Sequence, residues 1–388
     1  MPKAIVSGVG EFHPVRKSGQ SAEALITHAI SAALSEANLG GDDIGAVITE
    51  SSLTSQMAPF DRIAPMAGLN RVQLTLQTTP VGAGILGAVA TAFDLVGSGK
   101  VNHALVYFGV DWGTTPNGPT GYHAGMEAKK IVEAPAGFAG PPLYFGIAAR
   151  RYQHLHGLTE LQLQDMLWHV VEAMRFNAQH NPHAQKQDGL SKEAYLDKPM
   201  IAEPLRSVDC SLLSDGAVAI VISRSDLSKG QCCPVELAGW AYDYEPLPDM
   251  DFYTQSPWLP DLPAARRSSG KAFAAAGLRP EDIDAYQLYD CFSIAVIMQL
   301  EALGVCVPGQ GRELCASGAL HFNGSVPVNT HGGLLGHGYL LGAGHVVEAI
   351  RQLRHEAIGR QVENAQTVFV GAGPGRQYSS LIFRRVER

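Results

Sequence analysis

The sequence contains no long basic run and no apolar segment long enough to cross a bilayer. Its 29 Lys and Arg residues stand against 37 Asp and Glu, so the net charge is −8 at pH 7. This balance disfavours nucleic acid or an anionic membrane surface as the main partner. The apolar stretch 81–93 is shorter than the roughly 20 residues that a transmembrane helix needs. We therefore expect no membrane insertion and interpret this stretch as a buried helix.

The cysteines also lack the spacing of a metal site or a redox motif. Cys232 and Cys233 are adjacent, and no C-x-x-C pair occurs. We expect no secretory signal either, because the opening MPKAIVSGVGEF leads directly into a strand-like apolar run and a glycine turn. The sequence therefore predicts no bound metal, and reduced thiols in a cytoplasmic protein.

What the sequence does contain is an internal repeat. Residues 33–46 (ALSEANLGGDDIGA) and 272–285 (AFAAAGLRPEDIDA) share several identical positions, and each is typical of a helix end, a polar turn and the start of a strand. A second pair follows in the same order. Gly-Ala-Gly turns at 82–84 and 342–344 each precede a helical segment and then a strand-like one. This order indicates that the chain is built from two duplicated halves.

Alternating strands and helices in both halves predict an α/β fold with packed layers and largely parallel sheets. We place the first half at residues 1–225 and the second at 226–388. Residues from about 110 to 200 interrupt the first half with Pro- and Gly-rich segments and one polar helical stretch. This inserted, partly loop-like subdomain either covers a binding site or is a solvated excursion.

Glycine-rich turns at helix N-termini predict backbone sites for an oxyanion or a phosphate. There the free N–H groups and the helix dipole favour negative charge, and glycine allows a ligand to approach the backbone closely. The candidates are Val81 and Gly82 in the first half and Gly342 in the second, with Gly371 and Gly373 in a further turn. Tight packing alone is the alternative explanation for each of these turns.

Several long motifs resemble those of the thiolase superfamily, in particular its sterol-carrier-protein-type branch. The resemblance covers nearly the whole chain. It rests on AIVSGVGEF near the start, GPPLYFGIAARRY at 140–152, DCSLLSDGAVAIVISR at 209–224, YDCFSIAVIMQLEALG at 289–304, HGGLLGHGYLLGAGHVVEAIRQLR at 331–354 and VGAGPG at 370–375. It implies a thiolase fold, with two duplicated α/β halves in a layered α-β-α-β-α arrangement and an inserted loop subdomain.

The residues that thiolases use for acyl transfer are changed in this sequence. The resemblance places Val81 where the family has its nucleophilic cysteine, and valine cannot form an acyl-enzyme. Tyr289, in YDCF, replaces the histidine of the family's HDCF motif, and Tyr339, in GYLLG, replaces the histidine of GHPLG. Cys291 is retained, and the resemblance implies a proton-transfer role for it. An inert buried thiol is the alternative.

These substitutions resemble the thiolase-like aldolases of steroid side-chain degradation, which cleave a β-hydroxyacyl-CoA by retro-aldol chemistry. The resemblance implies Tyr289 and Tyr339 as acid and base, coenzyme A as part of the substrate, and no further cofactor. A tyrosine with a pKa of about 10 costs roughly 4 kcal/mol to deprotonate at neutral pH. We therefore expect either a neighbour that lowers this pKa, with His331 and His337 as candidates, or a hydrogen-bonded relay.

The resemblance also implies a homodimer and a small partner protein with an OB fold and a zinc ribbon. Two other functions stay open at this point. The first is a non-catalytic subunit that binds acyl-CoA or lipid and supports a partner enzyme. The second is an acyltransferase that uses Cys291.

Overall fold

The computed structural model describes residues 3–50, 58–78, 83–116, 129–137, 140–228, 233–245 and 259–386. Its strands are β1 (Ala4–Val15), β2 (Ala46–Glu50), β3 (Leu74–Thr78), β4 (His103–Asp111), β5 (Met200–Ala202), β6 (Leu205–Arg206), β7 (Asp215–Arg224), β8 (Val235–Tyr244), β9 (Ala285–Leu288), β10 (Thr367–Ala372) and β11 (Gln377–Arg385). Its α-helices are α1 (Ala22–Ala37), α2 (Phe60–Met66), α3 (Gly84–Gly97), α4 (Pro141–Leu155), α5 (Glu160–Ala178), α6 (Lys192–Leu196), α7 (Pro263–Ala276), α8 (Ser293–Ala302), α9 (Gly311–Ala316), α10 (Gly333–Gly336) and α11 (Ala343–Arg354).

The large sheet has nine strands in the described part of the chain, in the order β3-β2-β4-β7-β1-β8-β11-β10-β9. This order nearly mirrors itself about the junction of β1 and β8, where Val6 pairs with Val235. On one side β1 is antiparallel to β7 and β7 to β4, while β4 and β2 are parallel. On the other side β8 is antiparallel to β11 and β11 to β10, while β10 and β9 are parallel. The two halves therefore share one topology, as the sequence repeat predicts.

Helices cover the outer faces of the two half-sheets and fill the space between them. α1 packs on β1, β4 and β7, and α7 packs on β8 and β11. α3 and α11 contact strands of both halves and also each other. This confirms the layered α-β-α-β-α arrangement. The Gly- and Ala-rich composition of α3 suits the central layer, because a helix with strands on two sides needs apolar residues all round. Within the described ranges, neither α3 nor any other helix is long and apolar enough to span a membrane.

The expectation of largely parallel sheets is wrong. β10 and β11 are joined by a tight connection, residues 373–376, which reverses the chain at one edge and makes the two strands antiparallel. β4 and β7 occupy the same relation in the first half, with Asp111 opposite Asp215. In the sequence, the whole insertion lies between β4 and β7. It therefore begins and ends at the paired residues Asp111 and Asp215. It therefore takes the place of the short turn in the second half.

Two glycines show the duplication at atomic detail. A Cβ added to Gly8 of β1 would lie 2.2 Å from the carbonyl oxygen of Ala33 in α1. A Cβ added to Gly239 of β8 would lie 2.3 Å from the carbonyl oxygen of Ala272 in α7. Ala33 and Ala272 are equivalent positions of the sequence repeat. In both halves the strand and the outer helix approach so closely that only glycine fits.

The insertion is mostly helical where it is described, rather than loop-like. It contains α4, α5 and α6 and the small β5–β6 hairpin. α5 packs against α8, α9 and α10 of the second half. Asn177 donates to the main-chain carbonyl of Val328 (2.8 Å), and Asn181 donates to that of His331 (3.0 Å). The insertion thus supports the loop that leads to residue 339 and is not merely a solvated excursion.

Candidate active site

Tyr289 follows β9, at the edge where the carboxyl ends of β9 and β10 meet. Its N–H donates to the carbonyl oxygen of Gly371 in β10 (3.0 Å), and its own carbonyl accepts from Nε2 of Gln299 in α8 (3.0 Å). The residue is only 6% exposed. Residues that follow adjacent parallel strands come together at such an edge. The sheet therefore fixes the main chain of Tyr289.

Tyr339 lies in the loop between α10 and α11 of the second half, but the first half holds it. Its N–H donates to Oγ of Ser214 (2.9 Å), the residue directly before β7. Its ring stacks on the indole of Trp112, the residue directly after β4, with ring centroids 4.9 Å apart. Because β4 and β7 are paired, the two contacts come from one end of the same strand pair.

The two tyrosines that the sequence selects meet in the structure. The hydroxyl oxygens of Tyr289 and Tyr339 are 2.9 Å apart, and the rings pack edge to face at 72°. A phenol hydroxyl can both donate and accept a hydrogen bond, so either oxygen can be the donor. A proton taken up by one hydroxyl can therefore be passed on by the other.

The environment of Tyr289 disfavours a phenolate. Burial, the neighbouring Tyr339 hydroxyl, Cys291 and the Asp290 carboxylate all raise the pKa of Tyr289 well above its ordinary value. The hydroxyl is therefore protonated near pH 7. Of the two possibilities that the sequence leaves open, a lowered pKa or a hydrogen-bonded relay, this direction favours the relay.

Asp290 holds the short helix α10 in place. Its carboxylate accepts from the N–H groups of Leu334 (2.9 Å) and Leu335 (3.2 Å), and Nε2 of His345 lies 3.1 Å from it. Nε2 also contacts a main-chain carbonyl of β9 at 2.8 Å, so this nitrogen must carry the proton. Gly333 has φ +61°, and a Cβ there would lie 2.1 Å from the carboxylate. Asp290 thus anchors the start of the segment that carries Tyr339.

Cys291 is buried beside this site and its thiol is protonated. Burial, and next the Asp290 carboxylate, raise the pKa of Cys291 well above its ordinary value. The thiolate is the nucleophilic form of cysteine. A neutral thiol can still donate a proton. A buried, protonated thiol therefore disfavours acyl-enzyme formation at Cys291 and leaves proton donation as the chemistry that it can supply.

Cys291 should resist alkylation in the folded protein at pH 7.5, because the thiol is buried and protonated. Mass spectrometry of the tryptic peptides after brief exposure to iodoacetamide would measure this. The same reaction in urea, where every cysteine should react, is the control. Incubation with an acyl-CoA should add no acyl mass to Cys291. A stable thioester on this residue would contradict the assignment and favour acyl transfer.

Two of the candidate glycines lie against the first turn of α3. A Cβ on Gly342 would come within 2.5 Å of Leu86, and one on Gly373, at φ +96°, would come within 3.0 Å of the Cβ of Ala83. The third described candidate is Gly371, which accepts the Tyr289 N–H. The structure therefore brings the turns at Gly342 and Gly373 to the N-terminus of α3. Gly371 instead lies within β10, where it pairs with Leu288 and Ser380, so it is not part of the turn that the sequence predicts. Two candidates fall outside the described residues: Val81 and Gly82.

His331 and His337 belong to a buried cluster of their own. Their rings are 5.1 Å apart, and the ring of His345 lies 5.3 Å from that of His331. Burial and neighbouring histidines lower the pKa of His337 to about 3 and that of His331 well below its ordinary value. Both are therefore neutral near pH 7 and bring no positive charge that would lower a tyrosine pKa. The small cavity that they line is bordered by Glu11 and Arg351 and by neither tyrosine.

Sequence reasoning did not select Trp112 and Ser214, the two residues that hold Tyr339. Ser214 lies in the motif DCSLLSDGAVAIVISR, which carries part of the resemblance to the family but indicates no role for this serine. Trp112 lies in no recognisable motif. Its contact with Tyr339 depends on the pairing of β4 with β7 and on the path of a loop from the other half, and neither leaves a local signal in the sequence.

Known proteins are similar to this chain along most of its length. Residues 251–384 match a family model described as thiolase C-terminal domain-like. The chain is 29% identical over 390 residues to the 17-hydroxy-3-oxo-4-pregnene-20-carboxyl-CoA lyase of Mycobacterium tuberculosis, with 98% of each chain covered. It is 31% identical over 353 residues to an acetyl-CoA acetyltransferase of Methanothermobacter thermautotrophicus, with 88% of each chain covered.

The solved structure of an Ltp2-ChsH2(DUF35) aldolase has the same fold. It matches with a TM-score of 0.90 at 28% identity, over 100% of this chain and 98% of that chain. Sequence motifs, duplicated topology and end-to-end matches all lead to one conclusion: the chain belongs to the thiolase superfamily.

Proposed function

We propose that this protein is a carbon–carbon lyase that cleaves a β-hydroxyacyl-CoA by a retro-aldol reaction. The observation that carries the proposal is the 2.9 Å hydrogen bond between the hydroxyls of Tyr289 and Tyr339. The reaction needs a base for the β-hydroxyl, a sink for electrons at the thioester carbonyl and an acid for the enolate. It needs no covalent nucleophile, which agrees with the valine at position 81.

The tyrosine pair moves one proton and leaves both side chains neutral. One hydroxyl accepts the proton of the substrate β-hydroxyl while it donates its own proton to the other. The electrons of the Cα–Cβ bond move onto the thioester, which forms an enolate and releases a ketone or an aldehyde. The second hydroxyl gives up its own proton to Cα, either directly or through the Cys291 thiol, which accepts this proton as it donates its own, and the shorter acyl-CoA is formed. The raised pKa of Tyr289 supports this concerted transfer, because it opposes a free phenolate.

Backbone N–H groups near the first turn of α3 supply the electron sink. Gly342 and Gly373 bring two glycine turns against this helix end, where the helix dipole favours negative charge. In the sequence, Val81 and Gly82 directly precede this helix end. Preorganised donors of this kind stabilise an enolate oxygen without reorganisation during the reaction.

The substrate is a steroid or a similarly bulky CoA thioester, and the enzyme works as a homodimer with a small partner. The names of two full-length relatives support the substrate class: the pregnene-carboxyl-CoA lyase and a steroid side-chain-cleaving aldolase of Thermomonospora curvata. The solved aldolase with a TM-score of 0.90 is a complex with a DUF35 protein, which supports a small OB-fold and zinc-ribbon partner. β3, at the end of the strand order, supports dimerisation because open strand edges are usually covered.

The test is cleavage of a 17-hydroxy steroid acyl-CoA in D₂O by the complex purified with its partner, with no free coenzyme A added. The expected products are a ketosteroid and an acyl-CoA that carries one solvent deuterium at Cα, because the enolate is protonated once. Products that require free coenzyme A would favour thiolytic acyl transfer. No turnover of any β-hydroxyacyl-CoA by the complex would favour the non-catalytic acyl-CoA-binding subunit.

A further inference from the structure

Ser214 and Asp215 are two consecutive residues of the DCSLLSDG motif. Ser214 is hydrogen-bonded to the main chain of Tyr339, and Asp215 is hydrogen-bonded to the turn that follows Trp112. The Ser214 hydroxyl accepts from the N–H of Tyr339 (2.9 Å) and from Nε2 of Gln185 (2.7 Å), and it donates to the carbonyl of Leu212 (3.0 Å). A hydroxyl has one donor and two lone pairs, so this group is fully used. Ser214 is completely buried. It fixes the main chain at position 339.

Asp215 fixes the turn that carries Trp112. Its carboxylate accepts from the N–H groups of Gly113 (2.6 Å), Thr114 (3.0 Å) and Ser18 (2.6 Å). A Cβ on Gly113 would lie 1.8 Å from the carbonyl oxygen of Arg16, so the turn packs directly against the chain after β1. The residue before this glycine therefore has little freedom to move.

Trp112 packs against the side chain of Tyr339, in addition to the main-chain contact that Ser214 makes. Its indole is 8% exposed and stacks on the phenol ring at an interplanar angle of 25°. The same phenol ring packs edge to face with the ring of Tyr289, with centroids 6.4 Å apart. The indole on one face of the Tyr339 ring and the fixed main chain leave this ring few orientations. In the observed orientation its hydroxyl forms a hydrogen bond with the hydroxyl of Tyr289.

We propose that Trp112 and Ser214 are positioning residues for Tyr339, and that together they set the hydroxyl contact on which the proton relay depends. This inference rests on the proposed function and assigns to the S-D-G motif a role in the reaction: one residue holds the main chain of Tyr339 and the next holds the turn with Trp112. Trp112 contacts the ring of Tyr339, and Ser214 contacts its main chain. Their effect on turnover passes through Tyr339.

The test compares steady-state kinetics of Trp112→Leu, Trp112→Phe and Ser214→Ala, with the steroid acyl-CoA and the purified complex. Trp112→Leu keeps bulk but loses the flat face, and Ser214→Ala loses the anchor. Each should lower kcat by about 10- to 100-fold, because a misplacement of about 1 Å costs this much, while KM changes little. Trp112→Phe keeps a flat face and should retain most of the turnover.

The decisive comparison places Trp112→Leu and Ser214→Ala in a Tyr339→Phe background. If Trp112 and Ser214 act through the Tyr339 hydroxyl, neither should lower kcat further there. A similar loss in both backgrounds would mean a general structural role and would overturn the inference. Trp168→Leu is the matched control, since that indole donates to the carbonyl of Leu190 (3.2 Å), away from both tyrosines, and its replacement should leave kcat unchanged.

Failure of the inference can be told apart from failure of the proposed function. If Tyr339→Phe loses turnover but Trp112→Leu and Ser214→Ala do not, the positioning role is wrong and the relay stands. If Tyr339→Phe itself keeps normal turnover, the relay is wrong. Should Trp112→Leu unfold, seen as a lost cooperative melting transition, Ser214→Ala carries the same comparison, because it removes one oxygen atom only.

Discussion

Replacing Tyr289 or Tyr339 with phenylalanine should lower kcat by about 100-fold or more, the usual scale for a positioned acid or base. Each substitution removes one hydroxyl from the 2.9 Å pair and leaves the ring in place. The remaining hydroxyl loses its partner, and a free phenolate at position 289 is opposed by burial. Steady-state assays with the steroid acyl-CoA and the purified complex would measure the loss.

The double variant should be little slower than the slower single variant. A relay needs both hydroxyls. Once one hydroxyl is lost the relay no longer works, so loss of the second should lower kcat little further. Losses that multiply would indicate two independent roles, one as acid and one as base. Binding of the CoA ester should survive in all three variants, because only the hydroxyl groups are removed.

Tyr286→Phe is the matched control for this prediction. Tyr286 is also a buried tyrosine, it lies three residues before Tyr289, and its hydroxyl donates to the carbonyl of Pro280. The loss of that hydroxyl should leave kcat near the wild-type value. If Tyr289→Phe and Tyr339→Phe behave like this control, the two tyrosines are packing residues and the aldolase mechanism is wrong.

Replacing Asp290 with alanine should lower the free energy of unfolding by about 3 to 5 kcal/mol, the range for removal of one partner from a buried charged network. The carboxylate is fully buried and accepts from the N–H groups of Leu334 and Leu335. Without it these N–H groups lose their acceptor inside the protein, which costs about 1 to 3 kcal/mol for each group. Equilibrium unfolding in urea would measure the difference.

Asp284→Ala is the control for the Asp290 prediction. Asp284 also accepts two main-chain N–H groups, those of Gln366 and Thr367 (2.8 Å each), but it is only partly buried. Water can replace it, so the expected loss is about 1 kcal/mol. Equal losses in the two variants would mean that the burial of Asp290 adds nothing. Asp290→Ala should also reduce turnover where the protein stays folded, because α10 leads directly to Tyr339.

The sequence alone was enough for the fold family and for the duplicated halves. The repeat at 33–46 and 272–285 records a helix end, a turn and a strand start, which are local features that a local pattern specifies. The direction of the strands was not predictable in the same way. Whether β4 and β7 run parallel or antiparallel depends on where the chain returns after the insertion, and composition does not record that path.

The sequence by itself determined which residues replace the thiolase side chains, because Tyr289 and Tyr339 lie in short motifs that resemble those of the family. Only the tertiary structure decided what they do together. Their hydroxyl contact joins residues that are 50 positions apart in the chain. The raised pKa of Tyr289 comes from burial and from neighbours that the fold assembles. The stacking contact of Tyr339 with Trp112 joins the two halves of the chain. A motif fixes the identity of a side chain, whereas its distances, its dielectric surroundings and its partners are properties of the packed molecule.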